Sequence, residues 1–296
     1  MDDEVELVRQ RCRELGLPGL IDVHTHFMPK QVLDKVWAYF DAAGPEIGQE
    51  WPITYRQAEG ERVQRPRDLG VRRFTSMLYP HKPHMAAWLN SWARDFAAHT
   101  PDCVPTMTLY QESASTYVPQ AISDGARIAK MHVQVGDYDP CGPLLDPVWG
   151  VLEDAGLPVV IHCGSGPRPG RCTGPGPVAE VLRCHPRLTL VIAHLGIPEH
   201  AAFLDLAARD ERVHLDSTMS FTDFAERMLP FPPELRPRLR DQGGRILFGS
   251  DFPTIPYSYL HAVDAVLGLG LGDDWARGVL HDNAARLLGE PSRPAA

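Results

Sequence analysis

A chain of 296 residues, 44% hydrophobic and 23% charged, carries enough apolar material for a large core and has the composition of an ordinary globular protein. Its formal net charge of −9, with no basic block, argues against nucleic acid or an anionic membrane as a partner. The opening stretch MDDEVELVRQRCRELG is acidic where a secretion signal would be basic, and no apolar run approaches the ~20 residues of a membrane span, so a cytoplasmic protein is expected.

Residues 3–16 place Val5, Val8, Cys12 and Leu15 on one stripe and are expected to form an extra N-terminal helix packed outside the main fold. The first apolar run, GLIDVHTH at 19–26, finishes in two imidazoles one residue apart. Alternate side chains of a strand share a face, so His24 and His26 would converge while Val23 and Thr25 take the other side. A histidine pair of this spacing is common, and it becomes a metal site only if further ligands arrive from elsewhere in the chain. Residues 29–70 are too long for an ordinary loop and carry Trp37, Tyr39, Phe40, Trp51 and Tyr55; they are expected to be an insertion that acts as a lid.

Seven more β-rich runs follow: VRRFTSMLY (71–79), CVPTMTLY (103–110), ARIAKMHV (126–133), LPVVIHCG (157–164), LTLVIAHL (188–195), RVHLDST (212–218) and RILFGSD (245–251). Between them lie stretches with apolar residues at three- and four-residue steps, such as HMAAWLNSWARDFAAHT and PEHAAFLDLAARD. Eight strands alternating with helices predict an α/β fold of the (β/α)8 TIM-barrel type, a single domain over 1–296 with its core at about 19–289. The Gly/Pro-rich segment GSGPRPGRCTGPGP at 164–177, with Arg168 and Arg171, reads as a rigid loop at the site rather than a linker, because a barrel cannot be cut after its fifth strand. The six cysteines have no CxxC spacing and are expected to be free thiols, mostly buried.

The apolar runs stop at residues that carry chemistry: Lys130 and His132 on strand four, His162 on strand five, His194 on strand six and Asp251 on strand eight. In a parallel barrel the C-terminal strand ends ring one mouth, so groups far apart in the chain would meet there. Imidazoles and a carboxylate with an open position suit a divalent cation, Zn²⁺ above all, and a water acidified to about 7. Asp22 and Ser250 flank the ligand candidates and would orient them. Tyr79, His132 and Arg168 are candidates for contacting substrate.

Taken together, DVHTH, AKMH, VVIHCG, LVIAHLG, LFGSDFP and the late NAARLL give a chain that resembles the amidohydrolase superfamily. It is most similar to the amidohydrolase-related (amidohydrolase 2) branch, which includes metal-dependent decarboxylases of small unsaturated acids. The resemblance implies that His24, His26, His162 and Asp251 bind the metal, and that Asp251 also takes a proton from the metal-bound water. It implies for His194 either ligation of a second ion or an acid/base role on the substrate, and it puts Lys130 where two-metal members carry a carboxylated lysine. One Zn²⁺ is expected, or two if Lys130 is carboxylated. The implied activity is hydrolysis of an amide, ester or lactone of a small molecule by metal-activated water. Two rivals stand beside it: non-oxidative decarboxylation of a small unsaturated or aromatic acid, and a non-catalytic metal-containing barrel that binds a ligand. The aromatic-rich insertion would also suit packing against a second copy of the chain.

Overall fold

The computed structural model describes residues 2–290. Its eight strands are β1 (Leu20–Asp22), β2 (Val71–Phe74), β3 (Thr106–Thr108), β4 (Ile128–His132), β5 (Val159–His162), β6 (Leu190–Ile192), β7 (Val213–Asp216) and β8 (Ile246–Leu247). Each lies inside one of the expected runs and is shorter than it. The shortening falls mostly at the C-terminal ends, where side chains with polar tasks replace ladder pairing. The chain forms two compact units, one made of the residues up to Thr75 and those from Asp216 onward, the other of Ser76–Leu215.

In the Ser76–Leu215 unit, β3 to β7 are parallel neighbours in chain order, with registers such as Met107↔Ala129, Val160↔Val191 and Ile192↔Leu215. Ala129, Met131, Val160, Ile161, Val191 and Ile192 are all buried, as the near-continuous apolar strands of a parallel sheet require. Helices Ala114–Ser123, Asp146–Ala155, Pro175–Cys184 and His200–Arg209 make the crossovers. Asp146–Ala155 shows why such segments are helical: Val148, Trp149 and Leu152 form its buried stripe, and Gly156, at φ 61°, closes it in the left-handed conformation that glycine adopts freely.

In the other unit β1 pairs in parallel with β2, and its backbone continues beyond Asp22 alongside 248–252. Val23 N donates to Phe248 O (3.0 Å), Asp251 N to His24 O (2.9 Å) and His26 N to Phe252 O (2.7 Å). Ser217 N donates to Leu247 O (2.9 Å), which brings the end of β7 beside β8. The N-terminal helix, Asp2–Glu14, is present as expected; Val8 and Cys12 are buried, and Arg11 Nε donates to Asp264 Oδ1 at 2.9 Å on helix Tyr259–Leu267.

Residues 29–70 contain three helical segments before β2. Glu59–Asp68 is a helix running into β2, the ordinary crossover of the first strand, so the extra segment covers helix Lys30–Ala42, the turn Gly44–Ile47 and the stretch to about residue 58. Trp51 and Ile53 pack with Met219 and Phe224 against Trp37, Phe40 and Tyr257, and Trp51 Nε1 donates to Thr254 O at 2.7 Å. Tyr39, by contrast, is half exposed. Of the six free cysteines Cys12, Cys103 and Cys163 are buried, whereas Cys141 and Cys184 are exposed; burial pushes the Cys103 thiol up to about 12, far from thiolate chemistry. Among the described residues no helix is long and apolar enough to cross a membrane.

Candidate metal centre

His24 and His26 lie just past the end of β1 and share a face, their rings 5.0 Å apart and nearly perpendicular. Thr25 between them points away: its hydroxyl donates to Thr75 O, and its N–H donates to Thr75 Oγ1 at 3.2 Å. The alternation read from the sequence therefore holds, and it is pinned from both sides. Opposite them stands Asp251, whose Oδ1 is 2.9 Å from His26 Nε2 and 3.5 Å from His24 Nε2. The three side chains offer ligand atoms that all lie within 4.8 Å of one another.

Asp251 is held there by its backbone. Its φ of 71° is in the left-handed region, costly for a residue with a Cβ by about 1–3 kcal/mol, and the bonds Asp251 N to His24 O and Thr254 N to Asp251 O keep it there. Two residues earlier, Gly249 permits the close approach: a Cβ at this position would overlap Thr218 Oγ1 and sit 2.7 Å from His24 Cβ.

Asp22 and Ser250, the candidates for orienting the ligands, are joined to the backbone around them. Asp22 Oδ1 accepts from His24 N (3.2 Å) and Ser250 N (3.1 Å), and Oδ2 accepts from Tyr259 OH (2.8 Å). Complete burial pushes the Asp22 carboxyl up to about 7, while the bonds from Ser250, Tyr259 and His24 pull the other way. The chain of contacts continues outward: Tyr259 N donates to Tyr55 OH (2.7 Å), and Tyr55 OH donates to Glu4 Oε1 (2.6 Å) on the N-terminal helix.

The donor set fits a divalent cation of borderline hardness. Two imidazoles and a carboxylate converge, all mostly buried, and the remaining ring nitrogen of His24 lies 2.9 Å from Asp216 Oδ2, the carboxylate–imidazole arrangement that steadies a ligand. Asp216 is absent from the candidates read from the sequence. The signal was there, because Asp216 closes β7 in HLDST just as Asp251 follows β8 in FGSD.

The other unit gathers the remaining candidates. The register His132↔His162 stacks these two rings at 4.0 Å and 17°, and His162 lies 4.7 Å from His194. Tyr79 extends the row, 5.3 Å from His132. His194 and Leu195 both take left-handed φ values, 54° and 52°, which turn the chain sharply out of β6. Lys130 is fully buried on β4, and its carbonyl accepts from Leu109 N (3.0 Å) and Thr108 Oγ1 (3.2 Å). His132 Nδ1 accepts from Val135 N at 3.3 Å. Arg168 and Arg171 are exposed, and Arg171 Nε lies 3.8 Å from Asp137 Oδ1.

The family model described as Amidohydrolase matches residues 21–289, and the chain belongs to that family, whose members depend on divalent metal. No curated protein matches the chain. Among solved structures it is similar to an uncharacterised TIM-barrel protein from Bordetella bronchiseptica (TM-score 0.69, 19% identity, covering 92% of this chain and 98% of that one). It is similar also to an amidohydrolase from Burkholderia multivorans with bound zinc (0.64, 13%, 92% and 100%). A third is 5-carboxyvanillate decarboxylase from Sphingomonas paucimobilis (0.63, 15%, 93% and 100%). The fold is the α/β TIM barrel, with the extra helix and the insertion described above.

Proposed function

We propose that the protein is a metal-dependent hydrolase that cleaves a C–N amide or C–O ester or lactone bond of a small molecule. The observation that carries this reading is the meeting of His24, His26 and Asp251 within 4.8 Å. These three side chains hold one divalent cation, for which Zn²⁺ is the first choice, and His162 is the further ligand that membership of the family suggests. When bound, the cation supplies Lewis acidity toward a carbonyl oxygen and acidifies a water to near neutrality. Asp251 Oδ1 accepts the proton of the attacking water and returns it to the departing nitrogen or oxygen. His194, turned out of β6 by its own left-handed backbone, polarises or protonates the substrate. His132 and Tyr79 contact the substrate, and Arg168 guides an anionic one. Lys130, as a carbamate, would serve as a further ligand only if two ions were bound.

One set of observations favours a second reading. Lys130 within β4, His132 and His162 at the ends of β4 and β5, and His194 just past β6 make a donor-rich group suited to an acid, and decarboxylation needs an acid as its substrate. The test is a screen of metal-free protein reloaded with Zn²⁺ or Mn²⁺, against amides, esters and lactones on one side and unsaturated or aromatic acids on the other. Hydrolysis without release of CO₂ is expected. Release of CO₂ from an acid would replace hydrolysis by decarboxylation, and no turnover of either class would favour a barrel that only binds.

A further inference from the structure

His24 Nδ1 lies 2.9 Å from Asp216 Oδ2, and both side chains are fully buried. The second oxygen of Asp216 accepts from Thr218 N at 3.1 Å. On the opposite edge of the ring, His24 Nε2 lies 3.5 Å from Asp251 Oδ1, whose side chain is 14% exposed. A neutral imidazole has one proton, and two carboxylates are placed to accept it. The contact to Asp216 is of full hydrogen-bond length and the one to Asp251 is at the outer limit. The short contact also lies between two fully buried groups, where a charge-assisted hydrogen bond is screened least, whereas the longer one reaches a partly exposed carboxylate. The proton therefore belongs on Nδ1, and the lone pair on Nε2, the nitrogen that faces His26 and Asp251.

We propose that Asp216 is a positioning residue: it locks His24 in the Nδ1–H tautomer and so keeps Nε2 ready to bind a divalent cation. This rests on the reading of His24, His26 and Asp251 as metal ligands. The substitution Asp216→Asn separates this role from simple packing, because it preserves volume and shape. Thr218 N–H requires an acceptor, so the amide oxygen of the asparagine turns toward it and the NH₂ group faces His24 Nδ1. Nδ1 must then accept, the ring proton moves to Nε2, and the ligand atom is blocked.

The experiment uses the whole protein, stripped of metal, in two measurements. In the first, Zn²⁺ alone is titrated in competition with a chromophoric chelator, for wild type and D216N. A loss of affinity of about 10–100-fold is expected in the variant. In the second, ¹⁵N-edited spectra of histidine-labelled protein at a pH where the ring is neutral report its tautomer, the His24 signal being identified by its disappearance in His24→Gln. Wild type should show the proton on Nδ1, and D216N should show it on Nε2. Equal Zn²⁺ affinity in the two proteins overturns the role of Asp216, as does a wild-type His24 protonated on Nε2, a result that stands even if D216N fails to fold. A wild-type protein that takes up no Zn²⁺ overturns the metal reading itself, and the inference with it.

Discussion

The end of β1 with Asp251 and the imidazole row of β4 to β6 are both histidine-rich, yet they are built differently. In the first, carboxylates face the imidazoles: Asp216 on His24, Asp251 on His24 and His26, and Asp22 on the backbone between strands. In the second, rings face rings, with His132 stacked on His162 and His194 beside it. Carboxylates opposite imidazoles fix tautomers and attract a cation. Rings against rings, with a buried lysine on the same strand as His132, favour donation toward an anion or a carbonyl. On the reading proposed above, the first group holds the cation with His162 as a further ligand and the rest of the second group handles the substrate, and this division is what mutation can break.

The largest effect is expected at Asp251. Asp251→Asn keeps the shape of the side chain and removes its capacity to take a proton, so kcat should fall by roughly 10²–10⁴-fold with the melting temperature little changed. Stopped-time assays of the reloaded enzyme, with elemental analysis of bound metal, measure both parts. A wild-type rate in the variant would take away the proton-transfer role.

Next comes Gly249→Ala. The added methyl must displace Thr218 Oγ1 and His24 Cβ, and a forced overpacking of this kind costs about 1–3 kcal/mol. Denaturant unfolding should show that loss, with a parallel loss of Zn²⁺ affinity because the atom pushed is the Cβ of a proposed ligand. Stability lost without any change in metal binding would mean that the strand shifts as a whole and the ligand geometry is less constrained than its contacts suggest.

What the sequence made legible follows from how local its signals are. Strands β1 to β8 were readable because fully buried parallel strands leave continuous apolar runs, and their ends were readable because the run stops at a polar residue such as His132 or Asp251. The run VRRFTSMLY is longer than its strand, where pairing stops at Phe74: Thr75 and Ser76 keep a strand-like pattern, but Thr25 N donates to the Thr75 hydroxyl, a side-chain acceptor, in place of a backbone carbonyl. Within residues 29–70 the helix Glu59–Asp68 is not legible, because EGERVQRPRD has Val63 and Pro66 as its only sizeable apolar side chains and so shows no helical stripe. It nonetheless packs as a crossover helix, with Arg62 and Pro66 buried. Asp216 carries the same strand-end signal as Asp251, but a strand-end acid is common, and its 2.9 Å contact with His24 Nδ1 is what gives that signal a meaning.

The smaller effects test the imidazole row. His132→Gln keeps a donor and an acceptor but loses the stacking on His162, so KM should rise about five- to tenfold, the equivalent of roughly 1 kcal/mol, while bound metal stays at the wild-type level. Loss of metal in this variant would erase the division between the two groups, because it would mean that His132 acts on the cation through His162. Arg168→Ala should do less. Its side chain is exposed on the loop, so removing a screened charge is expected to change kcat/KM by no more than about threefold for a neutral substrate, and more for an anionic one at low ionic strength. Comparing the two substrates at two salt concentrations therefore separates steering by Arg168 from direct contact: steering fades as salt rises, whereas a contact made in the bound complex persists.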